Sequence, residues 1–215
     1  MYIAFFDLDH TILNTSSGRF VFRESYRHGI IGRKELFKAL IFTMLYRLGI
    51  MNEESIIKRW LGWYRGISIE AFAPIASDWV KELQSVIRKD ARKEVQLHRD
   101  NGGRTVILSA STTFFCEQVK NALGMDDVIC TELEVIDGRL TGNLKGSYCY
   151  GREKLLRARR YCLTQGVDMK DCYYYADSIN DLPMLEEVGI PVCVTPDKKL
   201  ERIAMKQGWR ISRWE

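Results

Sequence analysis

The strongest constraint in this sequence is a short apolar run, Tyr2 to Phe6, that ends in two carboxylates, Asp7 and Asp9, followed by His10 and Thr11. An unbroken apolar run of this length reads as a strand buried on both faces, the pattern of a parallel sheet. Carboxylates at the end of such a strand are costly to bury unless something beside them offsets their charge. In open α/β sheets the carboxyl end of the strands is where ligands sit. The segment therefore implies a sheet and marks one edge of it as a candidate site.

The rest of the chain fits that sheet. Apolar residues at three- and four-residue spacing predict helices over Arg19–His28, Lys34–Leu48, Glu53–Tyr64 and Ile69–Leu83, punctuated by Gly29, Gly32, Gly49 and Gly66. Asn52 and Ser68 read as N-caps, each with Glu in the following turn. No strand signal interrupts this block, which reads as a helical bundle inserted after the first strand. A helix over Ile87–Asp100 then stops at Asn101-Gly102-Gly103. Arg104–Leu108 is a second buried strand ending in Ser109-Ala110-Ser111, and Thr113–Leu123 a helix. Val128–Val135 and Arg139–Asn143 flank Asp137-Gly138 as a β-hairpin. A helix over Gly151–Gln165 precedes a third strand, Cys172–Ala176, which ends in Asp177-Ser-Ile-Asn-Asp181. A short helix over Leu182–Val188, a strand over Ile190–Val194, a helix over Leu200–Gln207 and an edge strand over Trp209–Ile211 complete the chain. Strands alternating with helices imply an α/β fold with a doubly wound parallel sheet. The expected division is a catalytic core over 1–13 and 86–215 and a helical cap over 14–85.

Composition narrows the classes of function. The 215 residues carry 32 basic and 28 acidic side chains, a formal charge of +4 that favours no nucleic-acid partner. The six cysteines include no C-x-x-C pair, and no His lies at zinc spacing, so a structural zinc and a disulfide framework are not expected. Met1 leads directly into the first strand without a secretory pattern, and a cytoplasmic location is expected. The most membrane-like stretch, Leu36–Leu48, contains Lys38 and Arg47 and is shorter than the roughly 20 residues a span needs. It reads as a cap or core helix, with no stable membrane insertion. His28 and His98 read as surface helix residues and Tyr173–Tyr175 as strand core.

The strand-end clusters suggest a chemistry. In a parallel sheet Asp7, Asp9, Asp177 and Asp181 meet at one edge, where they repel one another unless a cation neutralises them. An all-oxygen set suits Mg²⁺. Lys154 opens the helix before the third strand and can reach the same edge. The Ser109 hydroxyl and the backbone N–H groups after it face a helix N-terminus, a natural anion site. Such a set suits phosphate. One carboxylate can attack phosphorus, and a second, two residues on, can protonate the leaving oxygen and later activate water.

These motifs resemble the haloacid dehalogenase (HAD) superfamily, in particular its phosphoserine-phosphatase-like branch with a helical cap. The D-x-D-x-T motif is Asp7-Leu8-Asp9-His10-Thr11, the second-motif Ser is Ser109, the Lys is Lys154 with Lys145 as fallback, and the acidic pair is Asp177 and Asp181. The resemblance covers the whole chain. It implies an HAD-like Rossmannoid core and Mg²⁺ as cofactor. Asp7 is then nucleophile and metal ligand, and Asp9 general acid/base with its carbonyl on the metal. Asp177 is a direct ligand, and Asp181 holds a metal-bound water. Ser109, the Ala110 N–H and Lys154 grip the phosphoryl group, with a hydrogen bond from Asn180. Two positions depart from the pattern: His10 and Ala176 each stand where Gly is common. His10 could crowd the phosphate pocket.

The expected activity is Mg²⁺-dependent hydrolysis of a small phosphorylated metabolite, phosphoserine-like in kind, through an aspartyl-phosphate. The rivals are a phosphotransferase on the same intermediate, a signalling receiver, and a lipid-phosphate phosphatase at a membrane surface. Arg19, Arg23 and Arg65 are the basic residues in the cap that could meet a second anionic group of the substrate. Substrate identity and oligomeric state are left open.

Overall fold

A computed structural model describes residues 1–51 and 53–215, so the Asn52 N-cap lies outside the described residues. In chain order the elements are β1 (Ile3–Phe6), α1 (Ser17–Arg27), α2 (Arg33–Arg47), α3 (Glu53–Trp63), α4 (Ala73–Val86), α5 (Lys89–Asp100), β2 (Arg104–Thr112), α6 (Thr113–Leu123), β3 (Asp127–Thr131), β4 (Leu133–Ile136), β5 (Arg139–Leu144), α7 (Arg152–Gln165), β6 (Tyr173–Ala176), α8 (Leu182–Leu185), β7 (Ile190–Val194), α9 (Lys198–Gln207) and β8 (Arg210–Ser212). They form two compact units, one of residues 1–16, 83–131 and 149–215, the other of 17–82 and 132–148.

The first unit is built on a six-stranded sheet in the order β3-β2-β1-β6-β7-β8. Every neighbouring pair is parallel. This is the expected α/β architecture, with the all-buried β1 at its centre. Ile3 and Phe5 pack with Val106, Leu108, Tyr174 and Leu155 in its main apolar core.

Within this unit His98 is buried, not at the surface as its polarity suggested. It shares the inner face of α5 with Ala91 and Val95. Tyr175 donates to a Glu94 carboxylate oxygen at 2.7 Å. With that proton committed, His98 Nε2–H donates to the Tyr175 oxygen at 2.7 Å, and the Tyr2 hydroxyl lies 3.0 Å from Nδ1. In the neutral form that burial favours, Nδ1 accepts from the Tyr2 hydroxyl. Burial pushes the imidazole pKa down, with Glu94 opposing and Arg210 assisting. The unfolded chain binds this proton more readily, so the contribution of His98 is complete above about pH 6.5 and is lost as pH falls through the lowered folded value. We expect the stability advantage of wild type over His98→Gln to shrink between about pH 7.5 and about pH 5, as read by urea denaturation at each pH. A pH-independent difference would contradict the neutral assignment.

The second unit takes in 17–82 of the 14–85 stretch read as a cap, together with 132–148. It contains the helices α1–α3 and most of α4, but also the β4–β5 hairpin. The expected hairpin strand over 128–135 is broken at Glu132. Its first half, β3, pairs with β2 in the main sheet, and its second half, β4, pairs antiparallel with β5. Leu140 and Leu133 of the hairpin pack with Ile31, Tyr64, Trp63 and Ile67 of the helices. A hairpin with one apolar side and only two strands needs such a surface to be stable. Ser68 caps the short turn before α4 as expected, its hydroxyl accepting from the Glu70 N–H at 3.2 Å.

Candidate active site

The sheet register brings the polar strand ends together. Phe6 of β1 lies beside Ile107 of β2 on one side and Tyr175 of β6 on the other, so Asp7 and Asp177 leave the sheet at the same edge, where Ser109 lies in β2, which continues to Thr112. The Asp7 N–H continues the ladder to the Tyr175 carbonyl at 2.9 Å. The chain then turns tightly through Leu8–Ile12 and closes with Leu13 N–H on the Leu8 carbonyl at 2.9 Å. Within that turn His10 has φ 60°, a left-handed conformation that explains why glycine suits this position. The residue is exposed.

Lys154 ties the cluster. It sits on the first turn of α7, which starts from Gly151 at φ 53° and ψ −122°, a backbone conformation suited to glycine. The buried ammonium donates to Asp7 Oδ1 at 2.6 Å, Asp181 Oδ1 at 2.7 Å and the Tyr174 hydroxyl at 3.2 Å. All three of its protons are thereby used. Asp181 is buried at the start of α8, and the Thr11 hydroxyl donates to Asp177 Oδ1 at 3.5 Å. Of the two candidate lysines, Lys145 pairs instead with Glu132 at 3.1 Å in the second unit.

The charge balance is uneven. One ammonium faces three carboxylates. Burial pushes the Asp7 carboxyl well above the usual range; Asp181 and Asp177 add to this, and Lys154 opposes it. Burial, then Asp181, pushes Asp177 up to about 7. Burial would lower Lys154, but Asp181 and Asp7 outweigh it and hold the amine protonated. One carboxylate oxygen each from Asp7, Asp177 and Asp181 lie within 4.8 Å of one another. A divalent cation fits this site, because it relieves the excess negative charge and the donors are all hard oxygens.

A second group of potential ligands, Glu24, His28 and Asp78, lies in the second unit. There the carboxylates are already matched by cations: Glu24 by Arg23 at 2.6 Å and Arg27 at 3.4 Å, Asp78 by Lys81 at 3.1 Å. No charge excess calls for a metal. Arg23, a candidate for substrate contact, is committed to Glu24 and to Glu82 at 2.5 Å, while Arg19 and Arg65 are exposed.

The remaining candidates divide. Ser109 is buried at the sheet edge, its hydroxyl accepting from the Ser111 N–H at 3.1 Å, and Ala110 follows it half-buried. Asp9 is half-buried in the turn after β1. Asn180 is exposed, its backbone N–H donating to the Ser178 hydroxyl at 3.3 Å. Tyr174 was missed. The tyrosine run reads as core, but strand alternation sends Tyr175 against Phe6 and His98, and Tyr174 to the opposite face, where its hydroxyl meets Lys154.

A family model of the haloacid dehalogenase-like hydrolases matches residues 4–186. The chain belongs to this family. A histidinol-phosphatase of Neisseria meningitidis serogroup C is 30% identical over 215 residues, covering 97% of each chain. A solved Bordetella pertussis Tohama I protein of unknown function matches with a TM-score of 0.91 at 26% identity, over 99% of this chain and 98% of the other. A phosphoserine phosphatase solved as a phospho-aspartyl intermediate analogue shares the fold, with a TM-score of 0.71 at 20% identity, over 98% and 91% of the two chains. Like its named haloacid dehalogenase-like relatives, this protein is a phosphatase.

Proposed function

We propose that the protein is a Mg²⁺-dependent phosphomonoester hydrolase working through a phosphorylated Asp7, on a small phosphorylated metabolite. The observation that carries this reading is Lys154 bridging Asp7 and Asp181 beside Asp177, at the edge where β1 and β6 end. Asp7, Asp177 and Asp181, with the Asp9 carbonyl, would hold Mg²⁺, which when bound supplies charge neutralisation at the phosphoryl oxygens. Asp7 attacks phosphorus while Asp9 gives its proton to the departing alcohol oxygen. Asp9 then takes a proton from water, whose oxygen attacks the same phosphorus and releases inorganic phosphate and the Asp7 carboxylate. The Ser109 hydroxyl and the Ala110 N–H bind the phosphoryl oxygens, and Lys154 joins them by giving up one of its three present acceptors. Asn180 would need to turn inward to join them. The second unit is the cap that selects the substrate.

The test is phosphate release from a panel holding phosphoserine, histidinol phosphate and lysophosphatidic acid, with Mg²⁺ or with EDTA. We expect release with Mg²⁺ that EDTA abolishes. Transfer of the group to an added alcohol instead of free phosphate would point to a phosphotransferase. EDTA-resistant release would overturn the metal assignment.

A further inference from the structure

Helix α2 of the second unit carries apolar residues on two sides, and among the described residues one of these sides is packed and the other exposed. Its inner side is occupied: Ala39 is buried, Leu36 packs on the Ile31–Tyr64–Leu140 cluster, and Phe42 stacks on Trp63 with ring centroids 6.2 Å apart. Its outer side carries Phe37, Leu40, Met44 and Leu48, each between 61% and 68% exposed, with Ile41 beside them and Ile50 in the following turn. Positions 37, 40, 41, 44 and 48 follow the three- and four-residue spacing of a single helical stripe. Scattered exposed apolar residues need no explanation, but a contiguous stripe of large ones marks an interaction surface.

The charges around the stripe select its occupant. Lys34 and Lys38 run alongside it, and Arg33 stands at its N-terminal end, all exposed. On the neighbouring helix α3, Arg59 is exposed as well, over the Phe42 ring at 5.3 Å, while Lys58 pairs with Glu54 at 2.8 Å. The acid within α2, Glu35, is turned back onto the Gly32 N–H at 3.0 Å. A second copy of this chain would bring like-charged lysine rows together. The stripe also offers only a handful of side chains, against the roughly 20–30 residues a side of a stable protein interface. An anionic lipid surface meets both features. Its headgroups complement the basic margin, and its acyl boundary receives the apolar side chains while the lysine stems reach back to the headgroups. Among the described residues no helix is long and apolar enough to cross a membrane, so the contact is peripheral.

We infer that the outer face of α2 docks the protein onto an anionic lipid bilayer. The inference does not depend on which phosphomonoester is hydrolysed. The experiment is co-sedimentation of the full chain with phosphatidylcholine vesicles, with and without phosphatidylglycerol, at low and high salt. We expect binding to the anionic vesicles that weakens with salt as screening shortens the reach of the lysines. The double variant Leu40→Glu/Met44→Glu should lose roughly tenfold or more of that binding, and Lys34→Glu/Lys38→Glu should bind both vesicle types equally weakly. Because these side chains are exposed, both variants should keep the wild-type circular dichroism, Tm and phosphate release from a soluble substrate. Failure of wild type to bind phosphatidylglycerol vesicles at low salt would overturn the inference. So would concentration-dependent self-association that the Leu40→Glu/Met44→Glu variant abolishes in the absence of vesicle binding, which would assign the face to a second copy.

Discussion

Asp7→Asn should lower turnover by at least about a thousandfold while the protein stays folded. The substitution replaces the attacking carboxylate with an amide of the same shape. Asp7 is 6% exposed, and its Oδ1 accepts from Lys154 at 2.6 Å, a bond the amide oxygen can keep. Its backbone N–H stays in the sheet ladder on the Tyr175 carbonyl. Circular dichroism and Tm should therefore remain near wild type. The informative comparison is with Asp9→Asn. In the proposed scheme Asp9 serves both half-reactions, and its loss should slow turnover by about a hundred- to ten-thousandfold. With a substrate whose leaving group needs no proton, Asp9→Asn should accumulate phosphoenzyme, because attack by Asp7 survives and hydrolysis does not. Asp7→Asn should form none. Rapid acid quench with a radiolabelled substrate separates the two, and an active Asp7→Asn protein would refute the nucleophile assignment.

How much of this was legible in the sequence follows from which interactions are local. The motif residues stand where short apolar strands end, and a parallel sheet collects such ends whatever the intervening chain does, so the convergence of Asp7, Ser109 and Asp177 was readable before any coordinates. Lys154 was readable as the helix-opening lysine, with Lys145 only a fallback; the structure pairs Lys145 with Glu132 in the second unit. What escaped depended on faces. His98 reads as a surface helix residue in the sequence, yet its spacing from Ala91 and Val95 puts it on the inner side of α5. Tyr174 is strand core as expected, but its hydroxyl contact with Lys154 was not readable, because a period-two strand assigns adjacent tyrosines to opposite sides and only the position of α7 shows which side holds the lysine. The β4–β5 hairpin was recognisable from Asp137-Gly138, but its membership of the second unit rests on contacts of Leu133 and Leu140 with distant helices. The openness of the outer face of α2 was likewise hidden, since a helix apolar all round ordinarily reads as buried.

Lys154→Met should affect both activity and stability, and the two effects should respond differently to Mg²⁺. Lys154 is 3% exposed, and its charge is shared by two buried carboxylates. Removing it leaves Asp7, Asp177 and Asp181 together without a protein cation, and breaking a buried pair in this way typically costs about 3–5 kcal/mol. The cost should depend on pH. Burial and mutual repulsion already hold Asp7 above its ordinary range and Asp177 at about 7, and without the ammonium both rise further. A carboxyl whose folded pKa is raised contributes stability that is complete below its unfolded value near 4 and is lost as pH rises through the folded value. Lys154→Met should therefore lie close to wild type near pH 5 and fall well below it near pH 8, as measured by urea denaturation in EDTA. Mg²⁺ should restore more stability to the variant than to wild type at pH 8, because the cation replaces the missing charge. It should not restore activity, since the lysine is also proposed to bind the phosphoryl oxygens, and removing one such stabilising group costs about a hundred- to a thousandfold in turnover. A variant equally destabilised at both pH values would mean that Lys154 acts through packing alone. A variant whose turnover Mg²⁺ fully rescues would mean that it serves only to hold the carboxylates together.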